Sequence, residues 1–275
     1  MKRSVFDIPG FDWKQAANYQ NAFLDQPAFL FGFSKSLNLL DVSKVEGMWT
    51  MGINWIIRRW QPSFHISLDP QPVAANYDLL KEASDHTLVV ARRNEKFYYP
   101  PDLKTVFFNC DELLPLGPKA VYPPRMTAKF TGTATSASYA TQWLYACGFD
   151  PIVLCAIDFS IEHHAYGVGA AAPAEYVKDL QTRFPRVTQG TLTFLDTCSA
   201  TGKTHAQAVP ATSARHGFIP RVENEFFTKF LRDVAKPQGR TIVNASAYKG
   251  STFNALPFVD FDETVEKLRK EGHLR

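Results

Sequence analysis

Short apolar runs recur along the chain and alternate with stretches in which apolar residues return every three or four positions. This alternation predicts an α/β fold, a Rossmann-like, mostly parallel sheet with helices on both faces. Strands are predicted at Ala28–Phe33, Met48–Ile53, Phe64–Leu68, Thr105–Asn109, Ile152–Ile157, Leu192–Leu195 and Thr241–Asn244. One predicted helix places Ala140, Trp143, Leu144 and Cys147 on a single face. A second does the same with Val222, Phe226, Phe230, Leu231 and Val234 before Lys236-Pro237 stops it. The Pro- and Gly-rich stretches Leu114–Pro124 and Gly167–Pro173 read as long surface loops, because the strand–helix rhythm resumes after each. A single domain over residues 1–275 is expected, with a lid-like segment at about 167–216.

Composition adds few constraints. The 275 residues are 45% apolar and 13% aromatic, enough for a packed core. Thirty basic residues against 27 acidic ones leave +3, spread without blocks, so charge by itself points to neither nucleic acid nor membrane. Four cysteines form no zinc spacing, and Cys147 and Cys155 lie in apolar runs where cysteine acts as a small hydrophobe. A reducing, cytoplasmic setting is therefore expected. The N-terminal MKRSVFDIPGFDWKQ lacks an apolar signal region, and no membrane-spanning run occurs, so neither secretion nor a membrane span is expected. Phe97-Tyr98-Tyr99 reads either as exposed aromatics at a homo-oligomer interface or as a buried edge.

In sheets of this kind ligands bind beyond the carboxyl ends of the strands. The predicted tips there are polar: Gly32-Phe33-Ser34-Lys35-Ser36, Asn54, Asp69-Pro70, Asn109, Asp158-Phe159-Ser160 and Asn244. Small residues and hydroxyls let backbone N–H groups approach a phosphate, and asparagine offers a donor and an acceptor to a ribose or base. Turn formation and helix capping would select the same residue types.

Thr135-Ser136-Ala137-Ser138-Tyr139 precedes a helix, and Gly148-Phe149-Asp150-Pro151-Ile152-Val153-Leu154-Cys155-Ala156-Ile157-Asp158-Phe159-Ser160 follows it. Together they resemble the TSG…Y…LGYKEIYLxGIDFY region of bacterial sialyltransferases of glycosyltransferase family 42. Gly32-Phe33-Ser34-Lys35-Ser36-Leu37 is similar to that family's GNGPSL loop, and Ile53-Asn54 and Asp69-Pro70 to its next strand ends. The same tip pattern occurs in archaeal hydroxymethylpterin pyrophosphokinases, so the resemblance is more specific for fold than for reaction.

The resemblance implies a nucleotide-activated sugar as donor, with Ser136 and Asn54 against the nucleotide and Gly32, Ser34, Ser36, Asp69, Asn109 and Asp158 around it. Two tyrosines of the family hydrogen-bond the departing phosphate; here they fall on Ser160 and Tyr166, and a serine is the shorter donor. The family's loop asparagine falls on Phe33. The base expected to deprotonate the acceptor hydroxyl is His216, in Ser213-Ala214-Arg215-His216-Gly217, with His163, His164 and His205 as competitors. Asp196–Thr204 ends like a P-loop, but Thr197 replaces its first glycine and Pro210 interrupts the following helix. No metal ligands are assigned. Mg²⁺ enters only with the alternative of a pyrophosphokinase using ATP, for which Asp69 and Asp158 are the available carboxylates. Two further alternatives are a glycosyltransferase acting on a modified DNA base and a nucleotide-binding domain without catalysis. The acceptor, whether glycan, small molecule or modified DNA, stays open.

Overall fold

A computed structural model describes residues 2–68, 72–73, 76–92, 99–108, 135–158, 223–246, 251 and 253–273. Its strands are β1 (Ala28–Phe31), β2 (Trp49–Ile53), β3 (Phe64–Ile66), β4 (Leu88–Arg92), β5 (Thr105–Phe108), β6 (Ile152–Cys155) and β7 (Ile242–Asn244). They form one sheet in the order β5-β4-β3-β2-β1-β6-β7, and every pairing is parallel. From β1 the order runs outward to β5 on one side and to β7 on the other, so β1 and β6 flank the switch point of the sheet.

Six of the predicted strands are present; five are trimmed by one or two residues at an end, and the predicted end of the Thr105–Asn109 strand, Asn109, lies outside the described residues. Leu192–Leu195, the loops at Leu114–Pro124 and Gly167–Pro173, the P-loop-like Asp196–Thr204 and the lid-like 167–216 lie outside the described residues. The sheet also contains β4, a Leu-Val-Val-Ala run too short for periodicity to separate strand from helix.

The helices that matter here are α1 (Tyr77–Glu82), α2 (Ser136–Ala146), α3 (residues 223–230) and α4 (Phe261–Lys270). The α3 axis continues through a π turn at Leu231–Ala235 and stops at Lys236–Gln238, where Gly239 takes a left-handed φ of 71°. Strand residues alternate between the two faces of the sheet. Leu30, Met51, Phe64, Leu88, Val90 and Leu154 pack under α2 and α3. On the other face, Phe29, Phe31, Val153 and Cys155 meet Phe261, Val265 and Leu268 of α4. Asp260 caps α4 by accepting the Glu263 N–H at 2.9 Å.

All eleven residues of α2 are buried, including its polar ones, so the one-sided face predicted for this helix is too narrow a description. Two of its polar side chains are satisfied within the helix: the Thr141 hydroxyl donates to the Ala137 carbonyl at 2.8 Å and the Gln142 amide to the Ser138 carbonyl at 3.2 Å. Cys147 and Cys155 are wholly buried free thiols whose pKa burial pushes up, in keeping with the hydrophobic role read from their surroundings. Tyr99 is also buried and its hydroxyl donates to the Ser67 carbonyl, which corrects the exposed-interface reading at that residue. Among the described residues, no helix is long and apolar enough to cross a membrane.

Candidate functional site at the carboxyl edge of the sheet

The polar strand tips separate into two clusters. The first joins β1 to β6 at the switch point. Ser36 donates its N–H to Asp158 Oδ2 at 3.0 Å and its hydroxyl to Asp158 Oδ1 at 2.6 Å. Both residues are fully buried. Burial raises the Asp158 pKa, opposed by the two Ser36 hydrogen bonds, which stabilise the ionised form. The Asp158 N–H donates to Ser34 Oγ at 3.2 Å, and the Ile157 N–H to Ser246 Oγ at 3.0 Å. Thus most polar groups predicted to face a donor here hold the strand tips to one another.

Gly32 has a similar place in this cluster. Its N–H is engaged by the Cys155 carbonyl at 2.8 Å. A Cβ at Gly32 would lie 2.2 Å from the Ala156 carbonyl oxygen, so the glycine lets two strand tips approach. Ala156 turns the chain at the end of β6 with a φ of 55°, and its carbonyl also accepts the Ser34 N–H at 3.2 Å. Ser34 itself is half-buried, and among the described residues its hydroxyl proton has no acceptor. Asn244 serves as a turn former, its Oδ1 accepting the Ser246 N–H at 3.0 Å.

The second cluster lies next to the first, across the tips of β2 and β3. Asn54 leaves β2 with a φ of 52°, a left-handed conformation that asparagine tolerates better than most residues. Its Oδ1 accepts the Ser136 hydroxyl at 2.9 Å, and Ser136 Oγ in turn accepts the Leu68 N–H at 3.3 Å. Two strand tips and the first turn of α2 are thereby joined through one serine. The Asn54 side-chain nitrogen has no acceptor among the described residues, and Asn54 is half-buried, so this cluster keeps an open donor.

No protein-family model and no curated protein matches this chain. One solved structure with a similar fold is the sialyltransferase CstII from Campylobacter jejuni in complex with the substrate analogue CMP-3FNeuAc. The two are 14% identical over 85% of this chain and 86% of that chain, with a TM-score of 0.48.

Asp69, Asn109, Ser160, Tyr166 and His216 lie outside the described residues, as do His163, His164 and His205. Two residues at this edge were not anticipated. Arg92 ends β4 with its guanidinium 4.9 Å from the Tyr139 ring centroid and Nη1 3.3 Å from the Tyr139 hydroxyl, on the first turns of α2. Its strand was the one not predicted, and only the tip position marks it. Glu223 lies in α3, and its carboxyl Oε1 accepts the Thr135 N–H at 2.9 Å. Burial pushes its pKa up from 4.5 to about 7, opposed by hydrogen bonds from Thr135 and Ser138. No local signal separates this glutamate from a solvated one. Among the described residues, no group of three or more His, Cys, Asp or Glu side chains could hold a metal ion.

Proposed function

We propose that this protein is a glycosyltransferase that moves a sugar from a nucleotide-activated donor to an acceptor hydroxyl, in the manner of the sialyltransferases its central segment resembles. The observation that supports this best is the junction of Asn54, Ser136 and the Leu68 N–H beside the switch point. It offers the Asn54 amide, which has no acceptor among the described residues, with the Ser34 hydroxyl on the neighbouring strand tip, as donors to a phosphate or ribose where such sheets hold their ligands.

In this reading the reaction is an inverting displacement at the anomeric carbon. Charge developing on the leaving phosphate is met by Tyr166 and Ser160, and His216 takes the acceptor proton. The fully buried Asp158 carboxylate, held on both oxygens by Ser36, counts against its use as a Mg²⁺ ligand and so against the pyrophosphokinase alternative at that position.

The test is a thermal-shift panel of CMP, UDP, GDP, ADP and ATP with and without Mg²⁺, because a ligand that binds only the folded state raises Tm by mass action. Stabilisation by CMP, UDP or GDP without metal is expected and names the donor class. Stabilisation by ATP only with Mg²⁺ would replace the proposal with the pyrophosphokinase, and the absence of any shift would remove the nucleotide site.

A further inference from the structure

The first turn of α2 is held from a distant part of the chain. Thr135, which precedes the helix, makes no side-chain cap to it. Glu223, 88 residues later, supplies the missing acceptor: its Oε1 takes the Thr135 N–H at 2.9 Å and lies 3.4 Å from the Ser138 hydroxyl. That hydroxyl also donates to the Thr135 carbonyl at 2.9 Å. A carboxyl there satisfies an otherwise orphaned N-terminal donor and opposes the positive end of the helix dipole.

The arrangement is costly for a purely structural cap. Glu223 is 1% exposed, and neither its Oε2 nor the Thr135 hydroxyl has a hydrogen-bond partner among the described residues. Thr135 could cap the helix from its own hydroxyl, as threonine commonly does. What the longer route adds is a direct tie between α3 and the turn that carries Ser136. Ser136 is the next residue after Thr135, and its hydroxyl bridges Asn54 and Leu68.

We propose that Glu223 is a positioning residue for the nucleotide site: by holding Thr135 and Ser138 it sets the first turn of α2, and through it the Ser136 hydroxyl that orients Asn54. The proposal rests on reading the Asn54–Ser136 junction as the donor site. It gives α3 a function beyond packing, because α3 carries the residue that controls this turn.

Two measurements on the full chain test it. Hydrogen exchange at the amides of Thr135–Tyr139 reads the turn without any ligand: Glu223→Ala is expected to speed exchange there about tenfold, while β1 and β6 stay protected and Glu223→Gln, which keeps an acceptor oxygen, stays close to the parent. Glu223→Asp, which shortens the reach by one methylene, gives the same pattern if the alanine variant does not fold. Affinity for CMP, UDP and GDP reads the site: Glu223→Ala is expected to weaken binding about tenfold, and to add nothing on a Ser136→Ala background. Unchanged exchange at Thr135–Tyr139, or additive losses in the double variant, would overturn the proposal. Faster exchange in a protein whose parent binds none of the three nucleotides would uphold the positioning of Ser136 and overturn the donor-site reading.

Discussion

Ser36 and Asn54 sit beyond neighbouring strands with opposite hydrogen-bond balances. Ser36 is fully buried and gives both its donors to Asp158, whereas Asn54 is half-buried and its amide nitrogen has no acceptor among the described residues. Ser36→Ala should therefore cost about 2–3 kcal/mol in urea unfolding by removing a hydroxyl hydrogen bond from a buried carboxylate. Asn54→Asp should change stability by less than about 1 kcal/mol, since aspartate tolerates the same backbone and still accepts from Ser136. It replaces the open donor with a charged acceptor, so nucleotide affinity, measured by calorimetry, should fall at least about tenfold. Both residues were singled out in the sequence by tip position. Which of them remained open depended on Asp158, 122 residues from Ser36, and on Ser136, 82 residues from Asn54.

At the scale of the element, the close approach of β1 and β6 depends on Gly32. An alanine Cβ there would lie 2.2 Å from the Ala156 carbonyl oxygen, and relieving it would require the strand tips to move apart, because the nearest atom is backbone and not the end of a flexible side chain. Gly32→Ala should lower stability by about 3 kcal/mol, read as a drop in the urea midpoint, and should loosen the Ser36–Asp158 clamp with it. The residue was legible as a loop glycine resembling a phosphate loop, but its partner was not. The strands were readable from short apolar runs, and β4 escaped because four apolar residues suit either a strand or a buried helical turn. The polar residues of α2 hid its full burial, because Thr141 and Gln142 return their hydrogen bonds to their own helix.

Over the whole molecule, two buried titratable groups bend the pH dependence of stability in opposite directions. His65 of β3 is fully buried with neither ring nitrogen hydrogen-bonded among the described residues, and burial lowers its pKa from 6.5 to about 3. The unfolded chain takes up that proton first, so the His65 contribution is complete above pH 6.5 and is lost as pH falls towards 3, by about 1.4 kcal/mol per unit. Glu223 is the reverse: with its pKa raised from 4.5 to about 7, its contribution is complete below pH 4.5 and is lost at a similar rate as pH rises towards 7. Between pH 4.5 and 6.5 the two slopes cancel. Relative to the parent, His65→Leu should make stability fall with rising pH across that window and Glu223→Gln should make it rise, as checked by urea unfolding at several pH values. Parallel profiles for parent and variants would show that neither group titrates as its burial implies. The amino-acid sequence by itself determined the α/β class, most strand positions and the set of polar tips, because these follow from local periodicity and turn chemistry. Only the tertiary structure decided the strand order, the clamp between Ser36 and Asp158, the meeting of Asn54 with Ser136 and the hold of Glu223 on α2. Each of these is a set of hydrogen bonds between residues far apart along the chain, and local sequence carries no record of such meetings.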